Sequence, residues 1–259
     1  MKKLHILFLM TAGLILMSYI PPSKPTIYLI GDSTVRNSNK EYWGWGTLLP
    51  DFLDTNQVHI ANHAMAGRST RTFVKEGRWA KVETLLKPGD FLLIQFGHNE
   101  GSKPDTSRQG YRGVLGGISK DSVVLDWGNQ QYEVVRTYGE NLRRFVKEAK
   151  SKGVTPVLLS MIPRNQWDTE GKVKRANESF GLWAKQIAEE EHIPFVDLNE
   201  ITALKYDLLG PVLVKEKYFP GDHTHTNYEG AKENAVSVLT GLTQIDHPII
   251  KYVKVSNYE

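Results

Sequence analysis

Short apolar runs at residues 26–30, 58–61, 91–96, 155–160 and 195–198 alternate with longer segments of helical character at 46–54, 79–86, 138–152, 176–191 and 227 to about 242. That alternation leaves few folds open. Runs rich in Ile, Leu, Val and Phe suit strands covered on both faces. A repeating strand–helix order brings such strands into one parallel sheet through right-handed crossovers. A doubly wound α/β domain is therefore expected over residues 26–259. A chain of 259 residues, 40% of them hydrophobic, can bury one substantial core and needs no second domain.

Residues 101–136 depart from the pattern, being too long for an ordinary connection. Within them, 122–125 and 131–135 flank Gly128-Asn129 and predict a β-hairpin inserted beside the carboxyl edge of the sheet. No internal repeat is visible, and residues 245–259 suggest no role.

Thirty-two Lys and Arg against 29 Asp and Glu give a net charge of +3, of which Lys2 and Lys3 supply two positive charges. This is no nucleic-acid footprint. Met1-Lys2-Lys3 followed by the apolar stretch 4–17 has the charged and apolar regions of an export signal and is short for a membrane span. Residues 1–20 are read as a signal peptide or N-terminal anchor and 21–25, with three prolines, as a stiff spacer. An exported protein is expected, periplasmic or extracellular, tethered if the leader stays uncleaved. The absence of cysteine excludes disulfides, thiolate metal sites and a cysteine nucleophile.

Gly31-Asp32-Ser33-Thr34 directly follows the first apolar run. A strand ending in a glycine turn can hold Ser33 at the edge where open α/β sheets place their chemistry. A hydroxyl is a poor nucleophile at neutral pH and needs an imidazole to take its proton. His225, in Asp222-His223-Thr224-His225 ahead of the last helical segment, is the candidate base, and Asp222 the group that fixes its tautomer. Thr226 and Glu229 match a capping box, predicting a helix from Asn227 with His225 just outside it. A tetrahedral intermediate also needs donors aimed at its oxyanion. Ala66-Gly67-Arg68-Ser69 after the second run and Gly97-His98-Asn99-Glu100 after the third can supply the Gly67 N–H and the Asn99 amide, to join the Ser33 N–H.

Gly31-Asp32-Ser33, the isolated Gly67, Gly97-His98-Asn99 and Asp222-x-x-His225 resemble, in order, the four blocks of the SGNH (GDSL-type) hydrolase family. The resemblance covers nearly the whole chain after the spacer. It implies a flavodoxin-like three-layer α/β/α sandwich with a central five-stranded parallel sheet. It also implies Ser33 as nucleophile, His225 as base, Asp222 as its partner, an oxyanion hole of Ser33, Gly67 and Asn99, and no cofactor. More narrowly, Gly31-Asp32-Ser33-Thr34, the run from Asn62 to Ser69 and Asp222 to Thr226 are similar to the rhamnogalacturonan acetylesterase branch. The implied substrate is an acetylated polysaccharide of the plant cell wall, rhamnogalacturonan before xylan. Glu100 departs from the pattern, since the third block usually carries Asp.

Gly-Asp-Ser alone is a common turn, and the weight lies in four blocks appearing in order. His223 and His225 beside Asp222 lack a third ligand at suitable spacing, so no metal is expected. Arg71, Lys75 and Arg78 at near-helical spacing read first as a solvated face. With Arg68 they read second as a basic rim for uronate carboxylates. Trp43, Trp45 and Trp127 are core candidates by default, with at least one available to stack on a sugar. The alternatives are a lysophospholipase or acyl-thioesterase of the same fold, and a glycan-binding protein without chemistry. The expected partners are an acetylated poly- or oligosaccharide, no nucleic acid and no membrane beyond the leader, with the protein acting as a monomer.

Overall fold

The computed structural model describes residues 24–37, 39, 41–108 and 110–254. Residues 1–20, read above as a signal peptide or anchor, and most of the expected spacer lie outside the described residues. Among the described residues seven strands form: β1 (Thr26–Gly31), β2 (His59–Asn62), β3 (Phe91–Gln95), β4 (Ser122–Asp126), β5 (Tyr132–Arg136), β6 (Thr155–Leu159) and β7 (Phe195–Val196). Five of them make one parallel sheet in the order β2-β1-β3-β6-β7, while β4 and β5 pair antiparallel as the hairpin inside the insertion. The sheet grows outward in both directions from β1 and β3. The crevice between their carboxyl ends is the switch point of a flavodoxin-like order.

The helices are α1 (Trp45–Phe52), α2 (Thr70–Lys75), α3 (Arg78–Glu83), α4 (Tyr138–Ser151), α5 (Phe180–Glu190), α6 (Leu198–Tyr218) and α7 (Tyr228–Gln244). Their distribution follows from side chains alternating along the buried strands. Ile27, Leu29, Leu93 and Val157 pack with Leu49 and Phe52 of α1 and Val238 and Leu242 of α7. Tyr28, Ile30, Leu92 and Leu158 face the other way, onto Trp79 of α3, Leu142 and Phe145 of α4 and Ile187 of α5. In α4 the buried Tyr138, Leu142, Phe145, Val146 and Ala149 recur at helical spacing, with Thr137 capping the helix by accepting from the Glu140 N–H. Full burial of a side chain such as Phe145 contributes roughly 1.5–3 kcal/mol, and truncation to Ala would cost about 3–5 kcal/mol.

Three elements depart from the sequence expectation. The last strand stops at Val196, because the Asp197 side chain accepts from the Glu200 N–H and starts α6. The helix α6 itself was not expected; it is broken at Gly210 (φ 79°, ψ 165°) ahead of Pro211. The segment after the second strand, assigned no element of its own although its basic residues stand at near-helical spacing, is α2, capped by Ser69 with Thr72 completing the capping box. A third apolar cluster beneath α6 joins Tyr206, Val214, Tyr218 and Phe219. It anchors the chain just before Asp222.

Candidate active site

Two strand ends and one pre-helical loop meet at the switch point. Gly31 closes β1 where β3 runs beside it, and a Cβ there would collide with the Gln95 carbonyl oxygen and the Val35 side chain. The chain then turns at once, the Asp32 carbonyl accepting from the Val35 and Arg36 N–H groups at 3.2 and 3.1 Å. The buried Asp32 carboxylate accepts from the Thr34 N–H at 2.9 Å and its hydroxyl at 2.7 Å, while its other oxygen faces His98 Nδ1 at 3.3 Å. Burial pulls Asp32 upward, but His98 and the Thr34 donors outweigh it and hold the carboxyl below its ordinary range. Gln95 Nε2 donates to the Thr34 hydroxyl at 2.7 Å, and Trp45 Nε1 donates to Gln95 Oε1 at 2.8 Å. These bonds fix the turn that presents Ser33, which is 5% exposed.

Ser33 Oγ lies 2.9 Å from His225 Nε2, and His225 Nδ1 lies 2.7 Å from Asp222 Oδ2. The second Asp222 oxygen accepts the Thr224 and His225 N–H groups at 2.6 and 2.7 Å. Burial acts upward on Asp222, and the bonds from His225 and Thr224 overcome it to hold the carboxyl below its ordinary range. An ionised Asp222 at Nδ1 selects the Nδ1–H tautomer and turns a lone pair at Nε2 toward the Ser33 hydroxyl. The loop is stitched to the nucleophile segment, Trp43 N–H donating to the Thr226 carbonyl at 2.8 Å and the Thr226 hydroxyl to the Trp43 carbonyl at 3.3 Å. The Tyr42 ring lies 5.2 Å from that of His225. Asn227, not Thr226, caps α7 by accepting from the Gly230 N–H at 3.0 Å, because the Thr226 hydroxyl is spent on Trp43.

The two glycine turns follow β2 and β3, the strands that flank β1. Gly67 adopts φ 75°, a left-handed conformation that favours glycine. Among the described residues neither the Ser33 nor the Gly67 N–H donates to a protein acceptor. Asn99 Nδ2 donates one hydrogen to the Arg68 carbonyl at 3.1 Å, which leaves the other to give. The buried Glu100 joins the two turns, accepting from the Thr70 N–H and the Asn99 N–H, each at 2.9 Å. Burial, and then the charge of Asp32, push its carboxyl up to about 8.

The insertion is fastened against this half of the site. Arg71 of α2, 4% exposed, reaches Glu133 of β5 through Nε and Nη2, both at 2.8 Å, and donates through Nη1 to the carbonyls of Gly110 at 2.8 Å and Gly113 at 3.1 Å. Between those carbonyls, Arg112 donates through Nη1 to Asn99 Oδ1 at 2.9 Å. A cavity of about 600 Å³ opens beside Gly67, lined by Arg68, Thr72, Arg108, Tyr111 and Arg112, with Glu76 at its wall.

Ser33, His225 and Asp222 thus come together, and the turns that carry Gly67 and Asn99 are joined to each other by the Asn99 bond to the Arg68 carbonyl. Other expectations need correction. Trp45 is 1% exposed and bonds Gln95, so it is core and unavailable to a sugar. Trp127 is half-buried, its Nε1 on Glu133 and its ring 3.4 Å from the Lys75 ammonium, so it belongs to the fastening of the hairpin. Trp43, half-buried beside Thr226, packs edge-on to Tyr228. Arg71 is neither solvated nor a rim residue, and Lys75 pairs with Glu133. Arg68 lines the cavity but is shared with Glu76 at 3.0 Å and the Ala66 carbonyl. Among the described residues, no three His, Cys, Asp or Glu side chains converge on a metal site, and no helix is long and apolar enough to cross a membrane. Sequence reading missed Tyr42, Arg108, Arg112 and Glu133. Their partners lie in other elements, with no spacing to announce them.

Residues 29–233 match the model of the GDSL-like lipase/acylhydrolase family. The chain is similar to a rhamnogalacturonan acetylesterase of Emericella nidulans, with 32% identity over 83% of each chain. It is also similar to a probable rhamnogalacturonan acetylesterase of Bacillus subtilis, with 28% identity over 88% of this chain and 96% of the other. An acetylxylan esterase from Geobacillus stearothermophilus shares the fold at a TM-score of 0.58, 19% identity and coverage of 84% of this chain and 94% of that one.

Proposed function

The chain belongs to the GDSL-like lipase/acylhydrolase family and is a carboxylic ester hydrolase, and from this premise we propose that it is a carbohydrate acetylesterase whose substrate is acetylated rhamnogalacturonan. The observation that carries the chemistry is the continuous relay from Ser33 through His225 to Asp222. Ser33 Oγ attacks the acetyl carbonyl carbon while His225 Nε2 takes its proton. The carbonyl electrons move onto oxygen, where the N–H groups of Ser33 and Gly67 and the Asn99 amide receive them. Collapse breaks the ester bond, and His225 gives its proton to the departing sugar oxygen. His225 then deprotonates a water that attacks acetyl-Ser33, and a second collapse releases acetate and restores the hydroxyl.

Two features support the finer substrate reading. The relatives named above include rhamnogalacturonan acetylesterases. The cavity beside Gly67 carries the guanidinium groups of Arg68, Arg108 and Arg112 against the single carboxylate of Glu76, a balance that suits an acidic sugar. Arg68 is engaged by Glu76 and Arg112 donates to Asn99, while Arg108 has no protein partner among the described residues and is free to meet a carboxylate. A cell-wall substrate implies export, consistent with the charged and apolar start of the chain.

Arg108→Gln is expected to raise KM on acetylated rhamnogalacturonan several-fold while leaving acetylated xylan and p-nitrophenyl acetate unaffected. Equal effects on all three would remove the acidic-sugar assignment. Activity that peaks on long-chain p-nitrophenyl esters would replace the acetylesterase reading with a lipid or thioester one.

A further inference from the structure

Arg112 Nη1 is 2.9 Å from Asn99 Oδ1 and 3.9 Å from where a Cβ on Gly67 would stand. One guanidinium group therefore lies against both non-serine members of the donor set. We infer that Arg112 is a positioning residue for the oxyanion hole, supplied by the insertion, that fixes the orientation of the Asn99 amide and lends it positive charge. The inference rests on the assignment of Asn99 as an oxyanion donor.

A side-chain amide can stand in two orientations that differ by exchange of its oxygen and nitrogen. Guanidinium has five donors and no acceptor. With Arg112 on Oδ1, the flipped amide would set its NH2 group against another donor, so only one orientation survives. In it, Nδ2 gives one hydrogen to the Arg68 carbonyl and keeps the second for the reacting oxygen. The charge on Arg112 also draws electron density toward Oδ1, which strengthens the remaining Nδ2–H as a donor.

Arg112 is itself exposed, yet its backbone is held on both sides. Buried Arg71 takes the Gly110 and Gly113 carbonyls, and the Val114 N–H donates to the Glu100 carbonyl at 3.3 Å. A bound substrate covering the cavity would remove water from the guanidinium, so its field would strengthen as the reaction begins.

The test uses p-nitrophenyl acetate, a neutral substrate too small to need a sugar subsite. Removing an oxyanion donor outright costs about 10²–10³-fold in kcat. Arg112→Ala, which leaves the donor held by the Arg68 carbonyl alone and without the neighbouring charge, is expected to lower kcat by about 10–100-fold with KM little changed. Millimolar guanidinium chloride should restore part of that rate in Arg112→Ala and none in Asn99→Ala. The double variant should be no slower than Asn99→Ala alone, because Arg112 acts through Asn99. Unchanged kcat in Arg112→Ala, absence of guanidinium rescue, or losses that multiply in the double variant would each overturn the inference. Thermal unfolding of each variant confirms that folded enzyme is compared, and Arg112→Lys, which keeps charge and a donor, should retain more activity than Arg112→Ala. Turnover retained in Ser33→Ala would instead count against the proposed chemistry, separately from Arg112.

Discussion

Neutralising Glu133 should loosen the insertion by an amount its surroundings fix. Its carboxylate takes Arg71 Nε and Nη2 at 2.8 Å each, Lys75 Nζ at 2.7 Å and Trp127 Nε1 at 2.9 Å. Burial pulls its pKa upward, and the bonds from Arg71, Lys75 and Trp127 with the charge of Arg71 overcome that pull and hold it at about 2, against an ordinary 4.5. Linkage makes that depression worth about 3 kcal/mol, and a side chain only 14% exposed is little screened by solvent. Glu133→Gln keeps the shape and removes the charge. The buried Arg71 keeps the Gly110 and Gly113 carbonyls, so the cost falls at the lower end of the range for breaking a buried pair, about 3 kcal/mol.

A carboxyl with a depressed folded-state pKa contributes stability that is present above 4.5 and lost as pH falls through about 2. Urea unfolding at pH 7 should show the variant about 3 kcal/mol less stable, with the gap narrowing by about half at pH 3. A gap below about 1 kcal/mol at pH 7, or one that does not change with pH, would refute the reasoning.

Asp222→Asn is expected to preserve the fold and lower kcat on p-nitrophenyl acetate by about 10³–10⁴-fold, because the amide no longer selects the Nδ1–H tautomer; loss of less than about tenfold would place the acid elsewhere. Gly31→Ala and Gly67→Ala should separate folding from catalysis. The first drives a Cβ into the Gln95 carbonyl and Val35, and should fail to give soluble protein or lower its melting temperature sharply. The second meets only Arg112 Nη1 at 3.9 Å, an ordinary contact, but has a φ of 75°, so it should cost about 1 kcal/mol of stability while lowering kcat. Equal destabilisation by both would contradict that division.

The parallel strands were legible because β1, β3 and β6 are covered on both faces and are almost uninterrupted in apolar residues. The site blocks were legible because each sits just past a strand or just before a helix. By contrast, α6 carries Leu208 at 90% exposure beside the break at Gly210-Pro211, so its apolar residues do not trace one buried face. Trp45 follows the nucleophile turn closely enough to suggest a sugar platform, yet its side chain points into the core against Gln95. The network Glu133–Arg71–Gly110 and the contact of Arg112 with Asn99 join an irregular insertion to two separate turns. Charge spacing along α2 alone makes Arg71 look solvated, because the carboxylate that buries it lies 62 residues away.

We propose that Ser33 carries the acetyl group removed from an acidic plant polysaccharide. Acetate release from acetylated rhamnogalacturonan, with acetylated xylan in parallel, tests it most directly when wild type is compared with Ser33→Ala. Wild type is expected to release acetate faster from rhamnogalacturonan, and the folded variant none above background. Release that persists in Ser33→Ala would contradict the mechanism, and release by wild type from neither polysaccharide would contradict the substrate.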